Sequence, residues 1–279
     1  MKVAVYTTEY KDKDLAVTRR AIAALSARGI DCAVTDELKG KIDCADFFSL
    51  DQPSGFDFMI TAGGDGTVLK VAKACAEYSV PVLGINLGHV GFLAEEEPDN
   101  LDEAVAALAG GNYVLESRTL LRAEACGKSF VALNDAVVSR LPQSRILETD
   151  VYVNGEFADR YHSDGYIVST PTGSTAYSLS AGGSILCPGV AAFILTPINS
   201  HSLHSRPLVV SERDETVIRP HGECALVVDG IEQLRLRGGD KVRIVKNDVS
   251  VKFVRLREHG FYGKLLKKLN KWSVTGEEG

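Results

Sequence analysis

Short β-rich runs alternate with helical patterns over the first hundred residues, and this alternation constrains the fold more than any other feature. Buried strands are predicted at Lys2–Tyr6, Ile30–Val34 and Val80–Ile85, and Leu15–Arg28 has the spacing of an amphipathic helix. A further strand is predicted over residues 56–61. Because strands that alternate with helices form parallel sheets, the pattern predicts a Rossmann-like α/β domain.

The pattern changes near Gly110-Gly111-Asn112. From Tyr113 onward the apolar runs are short and separated by turn residues, and Asn154-Gly155 between two β-rich runs is a strong hairpin signal. We therefore expect a mostly antiparallel β-sandwich in the second half. The predicted divisions are an α/β domain over residues 1–112, a β-rich domain over 113–255, and a C-terminal segment, 256–279, whose helix at Tyr262–Leu269 packs back on the first domain.

Charge and composition disfavour several classes of protein. The net charge is −6, yet residues 235–271 hold 12 Lys and Arg against 3 Asp and Glu. Much of that segment alternates basic and apolar residues, as a strand with one wet face does, so we expect no nucleic-acid binding. No apolar run approaches the roughly 18 residues of a membrane span, and no signal peptide is recognisable. The six cysteines form no CxxC pair, which favours reduced thiols in a cytoplasmic protein.

The strongest single motif is Thr61-Ala62-Gly63-Gly64-Asp65-Gly66-Thr67, which follows a predicted strand and precedes a helix predicted from Thr67 to Tyr78. Parallel α/β sheets bind their ligands at such a junction. Glycines let the backbone turn its N–H groups toward a ligand, and the helix N-terminus favours phosphate. Asp65 would repel phosphate, so it is interpreted as a base for a hydroxyl proton or as a carboxylate that shares a divalent metal with the phosphates. The alternative is a turn residue or helix cap.

Three other stretches carry polar or glycine-rich patterns. Asn134-Asp135 fits contacts to an adenine edge or to ribose hydroxyls, but taken alone it is better explained as a simple turn. Residues 170–183, which follow Asp164, offer many hydroxyls and one aromatic face, and this density favours a binding role. Residues 84–93 form a second glycine-rich strand exit, which we expect at the same sheet edge as the first.

Together these stretches resemble the NAD kinase family, whose members phosphorylate NAD to NADP. Five signatures occur in the family's order over roughly residues 1–270: Gly63-Gly64-Asp65-Gly66-Thr67, Gly84-Ile85-Asn86-Leu87-Gly88, Asn134-Asp135, Thr170-Pro171-Thr172-Gly173-Ser174-Thr175-Ala176-Tyr177, and Pro197-Ile198-Asn199 with Arg206-Pro207-Leu208. The resemblance implies an N-terminal α/β domain that carries the catalytic loop and the phosphoryl donor. It also implies a C-terminal β-sandwich-like domain that binds NAD, with a site between the two.

The resemblance assigns roles to residues by matching position. Asp65 is expected to be the general base on the adenosine 2′-hydroxyl. The expected phosphate-donor loop comprises Gly63, Gly64, Gly66 and Thr67. The expected contacts to NAD are Asp65, Gly66, Lys70, Asn134, Asp135, Arg145, His162, Asp164, Thr175, Ala176, Tyr177, Ser178, Leu179 and Ser180.

The resemblance also implies partners. ATP is the expected donor, and Thr67 at the end of the first motif is typical of relatives that accept inorganic polyphosphate as well. A homo-oligomer, dimer or tetramer, is expected, with a neighbouring subunit completing the NAD site. Because NAD and its donor are both anionic, we expect a divalent cation, most simply Mg²⁺.

Two other functions share some of these features. A lipid or sphingoid kinase of the wider superfamily carries a similar glycine loop but lacks the Thr-Pro-Thr-Gly segment, and a non-enzymatic NAD-sensing module would lack the base. The chain departs from the family at Ile231, where many members have Gln. His201 and His204 have no third ligand at matching spacing, so no metal site is predicted there.

Overall fold

The computed structural model describes residues 1–44, 46–88, 91–94, 96–256 and 261–273. Within these ranges, no helix combines the length and the apolar character that crossing a membrane requires. All six cysteines carry free thiols.

The chain divides into two compact units. Unit 1 comprises Met1–Ser117 with Val251–Gly279, and unit 2 comprises Arg118–Ser250. The sequence placed the divisions at 112/113 and 255/256 instead. The borders differ because both fall inside long strands, Val114–Ala125 and Val242–Arg255, whereas sequence patterns mark only the turns and strand ends nearby.

Unit 1 is built around a parallel sheet flanked by helices, which confirms the predicted α/β domain. Its strands are β1 (Lys2–Thr7), β2 (Asp31–Thr35), β3 (Asp46–Phe48), β4 (Phe58–Gly63) and β5 (Val82–Asn86). They pair in the order β3-β2-β1-β4-β5, and each of these pairs is parallel. Its helices are α1 (Ala16–Ser26), α2 (Asp65–Glu77), α3 (Leu101–Gly110) and, at the C-terminal end, α5 (Phe261–Ser273), with short 3-10 turns at Lys13–Leu15, Asp36–Leu38 and Pro98–Asn100.

The core of unit 1 fixes the strand ends from which the site is built. Strand β4 is buried along its whole length, as a central parallel strand covered on both faces should be. Val5, Ile60, Leu25 and Val105, from two strands and two helices, belong to one buried cluster. Burial of each such aliphatic side chain stabilises the fold by about 1.5–3 kcal/mol.

Helix α2 begins earlier than predicted. It starts at Asp65 rather than at Thr67, because Gly64 is extended and its carbonyl accepts the N–H groups of Thr67 and Val68 at 2.9 and 3.1 Å. Asp65 and Gly66 therefore form the first turn of the helix instead of a preceding loop. This places the Asp65 side chain at the positive end of the helix dipole.

Unit 2 consists of two antiparallel sheets. In the first, the strand order is β13-β12-β11-β8-β15-β16. Its strands are β8 (Asp135–Arg140), β11 (Gly165–Ser169), β12 (Ala192–Ile198), β13 (Leu208–Ser211), β15 (Cys224–Val228) and β16 (Ile231–Leu236). The second comprises β6 (Val114–Ala125), β7 (Lys128–Ala132), β9 (Leu147–Val153), β10 (Glu156–Ser163), β14 (Thr216–Pro220) and β17 (Val242–Arg255). The ends of β6 and β17 at residues 114–117 and 251–255 belong to unit 1, where β17 pairs in parallel with β5. A 3-10 turn at Gly173–Thr175 and the short helix α4 (Tyr177–Ser180) follow β11.

The two sheets of unit 2 share one core, which confirms the predicted β-sandwich. Phe193 and Leu226 of the first sheet lie in the same buried cluster as Val151 and Ile218 of the second. The hairpin predicted at Asn154-Gly155 joins β9 to β10, and both turn residues have the positive φ, +51° and +81°, that a two-residue hairpin turn requires.

Candidate active site

The glycine loop between β4 and α2 requires small residues. A Cβ on Gly63 would lie 2.6 Å from both Cβ and Oγ1 of Thr67, so the strand can meet the helix this closely only at glycine. Beside it, β5 pairs in parallel with β4, and Gly63 is the register partner of Asn86. The two glycine-rich strand exits therefore lie at the same sheet edge, as predicted. His89 and Val90 of the second exit lie outside the described residues.

The carboxylate of Asp65 is anchored by backbone N–H groups. Its Oδ2 accepts a hydrogen bond from Phe92 at 2.9 Å, and its Oδ1 accepts from Leu93 and Ala94 at 3.1 and 3.3 Å. A Cβ on Gly91 would lie 2.0 Å from Oδ1, so glycine is required there as well. The side chain of Asp65 keeps 33% of its surface exposed. It is thus immobilised but open to a ligand, which is the arrangement a general base needs.

Lys70, one turn further along α2, lies over the end of β1. Its Nζ donates to the Tyr6 hydroxyl at 2.8 Å and lies 3.6 Å from Glu37 Oε1. The hydrogen bond to Tyr6 is the main reason that the pKa of Lys70 lies above its ordinary value. Lys70 therefore carries a positive charge available to phosphate oxygens, with Glu37 as its partner in this structure.

A cavity of about 360 Å³ opens in unit 2. Four of the residues predicted to contact NAD line it: Asn134, Asp135, Ala176 and Tyr177. Tyr177 is 47% exposed, so it is not a core residue. Sequence reasoning omitted the remaining lining residues, which are Val137, Ser139, Val227, Asp229 and Gly230. The last two adjoin Ile231, whose departure from the family pattern was the reason for leaving contacts from that strand out.

Asp229 shapes the segment that carries Asn134 and Asp135. Its carboxylate accepts the backbone N–H groups of Leu133, Asn134 and Asp135 at 3.1, 2.8 and 3.2 Å. Asp135 is 4% exposed. Burial and, second, the Asp229 carboxylate raise the pKa of Asp135 to about 7. This wall of the cavity therefore changes charge near neutral pH.

The Thr-Pro-Thr-Gly segment packs against the same turn. Thr170 donates from N–H to the Asn134 carbonyl at 2.9 Å and from its hydroxyl to the Leu133 carbonyl. A Cβ on Gly173 would lie 2.1 Å from the Asn134 carbonyl oxygen. Other hydroxyls also bond within the protein, since Thr175 donates to the Thr172 carbonyl at 3.2 Å. Many of the hydroxyls that favoured ligand binding thus hold the cavity wall in shape.

The remaining predicted ligands are not among the residues that line the cavity. Asp164 is bound by Arg140 and by Asn199, and the hydrogen bond from Asn199 is the main cause that lowers its pKa. His162, on β10, lies 3.8 Å from Glu148. The other predicted contacts outside the lining are Asp65, Gly66 and Lys70 of unit 1, and Arg145, Thr175, Ser178, Leu179 and Ser180 of unit 2.

No group of three or more His, Cys, Asp or Glu side chains suited to a metal occurs within the described ranges. The acidic side chain of the glycine loop is Asp65. Since Mg²⁺ commonly binds through one or two carboxylates together with phosphates and water, this residue fits a metal that arrives with its nucleotide.

Two family models match most of the chain. The ATP-NAD kinase N-terminal domain matches residues 4–113, and the ATP-NAD kinase C-terminal domain matches residues 133–256. A curated NAD kinase of Natranaerobius thermophilus is 38% identical over 270 residues, 93% of this chain and 94% of the relative. An NAD kinase of Moorella thermoacetica is 43% identical over 218 residues, 76% of this chain and 70% of the relative.

Solved structures show the same similarity. A yeast NADH kinase, crystallised in complex with NADH, has a TM-score of 0.87 and 26% identity, and the match covers 100% of this chain and 90% of the other. An NAD kinase from Archaeoglobus fulgidus in complex with ATP has a TM-score of 0.76 and 27% identity, and the match covers 95% and 99% of the two chains.

A glycine loop with an anchored carboxylate at a helix N-terminus, and a β-sandwich cavity lined by Asn134, Asp135 and Tyr177 among others, suit a nucleotide-dependent phosphotransferase. The family models and the relatives specify it further. The chain belongs to the NAD kinase family, and it is an enzyme of that type.

Proposed function

We propose that the chain transfers the terminal phosphoryl group of ATP to the adenosine 2′-hydroxyl of NAD, with Asp65 as the general base. The observation that carries this assignment is the anchoring of Asp65. Its Oδ1 accepts two backbone hydrogen bonds, whereas its Oδ2 accepts one. A carboxylate oxygen offers two lone-pair sites, so Oδ2 retains one for the proton of a substrate hydroxyl.

The donor phosphates are assigned to the loop Gly63, Gly64, Gly66 and Thr67. We extend this role to Lys70, which the resemblance assigned to NAD. The backbone N–H groups at the start of α2 and its dipole attract anions. Lys70 adds a full positive charge. Its ammonium group would leave Glu37 and bind a phosphate oxygen instead. Phosphoryl transfer depends mainly on such positioning and charge neutralisation. We extend the donors to inorganic polyphosphate, which Thr67 favours.

The acceptor NAD is assigned to the cavity of unit 2. Asn134 supplies both a donor and an acceptor for a base edge or a ribose hydroxyl, and the Tyr177 ring supplies a face for stacking. We keep as predicted contacts to NAD the residues Asp65, Gly66, Lys70, Arg145, His162, Asp164, Thr175, Ser178, Leu179 and Ser180.

Mg²⁺ is the proposed cofactor. It would neutralise phosphate charge on the donor and be held mainly by phosphate and water oxygens near the glycine loop, while the free lone pair of Asp65 Oδ2 is left for the substrate hydroxyl. We also propose a homo-oligomer, dimer or tetramer, and a cytoplasmic location, which the six free cysteines support. Light scattering of the purified protein tests the oligomer.

The test is NADP formation by the purified chain with NAD, ATP and Mg²⁺, with parallel samples that contain EDTA, polyphosphate in place of ATP, or sphingosine in place of NAD. We expect NADP with either donor and none in EDTA. Phosphorylated sphingosine without NADP would identify a lipid kinase, and NAD binding without turnover would identify a sensor.

A further inference from the structure

The C-terminal helix α5 reaches the predicted base. Lys268 Nζ lies 3.9 Å from Asp65 Oδ2 and 4.2 Å from the ring centroid of Phe92. The rings of Phe261 and Phe92 are 6.2 Å apart. All of these residues belong to unit 1. The helix therefore contacts both the carboxylate and the residue whose N–H anchors that carboxylate.

The two oxygens of Asp65 are not equivalent in this arrangement. Oδ1 is filled by the N–H groups of Leu93 and Ala94. Oδ2 accepts the N–H of Phe92, and Lys268 lies on the side of the same oxygen. The ammonium group is thus next to the oxygen that has a free lone pair, at a distance too long for a full hydrogen bond.

This contact can matter for rate while it adds little to stability. The Lys268 and Asp65 side chains are 26% and 33% exposed, and partly exposed ion pairs stabilise proteins by only about 0–1 kcal/mol. A cation over the Phe92 ring and beside Oδ2 does restrict where the 92–94 segment and the carboxylate can move. A misplacement of about 1 Å can lower turnover about 10²-fold, so small restrictions at a base have large kinetic effects.

We propose that Lys268 is a positioning residue for the general base: it holds Asp65 Oδ2 and the Phe92 anchor in the orientation that accepts the 2′-hydroxyl proton. This inference rests on the proposed function of Asp65. It assigns to α5 a part in the reaction, although the helix carries none of the sequence signatures.

The test compares Lys268→Met and Lys268→Arg with Lys252→Met, which removes an exposed lysine from the end of β17 that belongs to unit 1. For Lys268→Met we expect kcat to fall about tenfold, with KM for NAD and for ATP changed by less than about twofold. The Tm should shift by less than about 2 °C. Lys268→Arg should retain most of the parent's kcat, because a guanidinium group also binds carboxylates and stacks on aromatic rings.

Lys268→Met is then measured in the Asp65→Asn background. If Lys268 acts through Asp65, the second substitution causes little further loss, since the base is already absent. A tenfold loss that persists in that background, or a selective rise in KM for ATP, would overturn the proposal and place Lys268 on the donor phosphates. Turnover of the parent enzyme tests the proposed function itself. The two losses caused by Lys268→Met, in the parent and in the Asp65→Asn background, test only the role of Lys268.

Discussion

Asp65 in unit 1 and Asp229 in unit 2 are anchored in the same way but have different neighbours. Each carboxylate accepts three backbone N–H groups from a separate three-residue segment: 92–94 for Asp65 and 133–135 for Asp229. Beside Asp65 lies the ammonium group of Lys268, whereas beside Asp229 lies the carboxyl group of Asp135. Backbone donors fix the geometry in both units, whereas the nearest ionisable neighbour is a cation in one unit and an acid in the other.

In unit 2, burial of Asp135 and, second, the neighbouring Asp229 carboxylate raise the pKa of Asp135. We assign proton transfer to Asp65 in unit 1 and ligand binding to the cavity wall of unit 2, as proposed above.

The largest expected effect tests whether the backbone anchoring of Asp65 is needed for turnover. Gly91→Ala places a Cβ 2.0 Å from Asp65 Oδ1 and so must displace the carboxylate or the 92–94 segment. We expect kcat to fall about 10²-fold, while NAD affinity changes little. Gly189→Ala, with nothing within 4 Å of its Cβ, is the matched control. Unchanged turnover in Gly91→Ala would separate anchoring from catalysis.

A second substitution sharpens the role of unit 2. Tyr177 lines the cavity and is 47% exposed. Tyr177→Ala should weaken NAD binding by about 1–3 kcal/mol, the range for the loss of a stacked base. Tyr10→Ala, which removes an 89% exposed tyrosine of unit 1, controls for the loss of an aromatic ring. Calorimetry gives the affinity, and a lower Tm with unchanged affinity would show that Tyr177 only packs.

The smallest effect tests the acidic pair of unit 2. The pKa of Asp135 is about 7 in the folded protein, whereas its ordinary value is 3.8. Proton binding therefore stabilises the folded state. This stabilisation is fully present below pH 3.8 and is lost as the pH rises through about 7. Relative to Asp135→Asn, the parent should lose about 1 kcal/mol of unfolding free energy between about pH 6 and pH 8. Urea titrations of both proteins measure this difference. If the unfolding free energies of the two proteins changed in parallel with pH, the raised pKa of Asp135 would be contradicted.

Local patterns predicted the parts of the fold that local physics decides. The junction of β4 and α2 was predictable because a buried apolar run, glycines and a helical spacing follow one another in sequence. The Asn154-Gly155 hairpin was predictable because few residue pairs adopt the positive φ that its turn needs. The start of α2 was predicted two residues too late, because the sequence does not show that Gly64 is extended and caps the helix directly before Asp65.

The anchors of the site were not predictable, because they join residues far apart in the chain. Asp229 binds Asn134 across 95 residues, and Asp65 binds Leu93 across 28. Both use backbone N–H groups of the partner segment, which leave no trace in the residue types found there. The same holds for the apolar cavity wall at Val137 and Val227, which appears in sequence as ordinary strand.

One substitution, measured in two ways, tests most directly whether Asp65 acts as the base while unit 2 binds NAD. Asp65→Asn preserves the shape of the side chain and removes its charge. NADP formation by this variant should fall about 10²–10⁴-fold, the contribution of a general base. NAD affinity, measured by calorimetry on the same folded preparation, should change by less than about threefold, since the assigned contacts to the base and ribose lie in unit 2. Turnover within about tenfold of the parent would contradict the account.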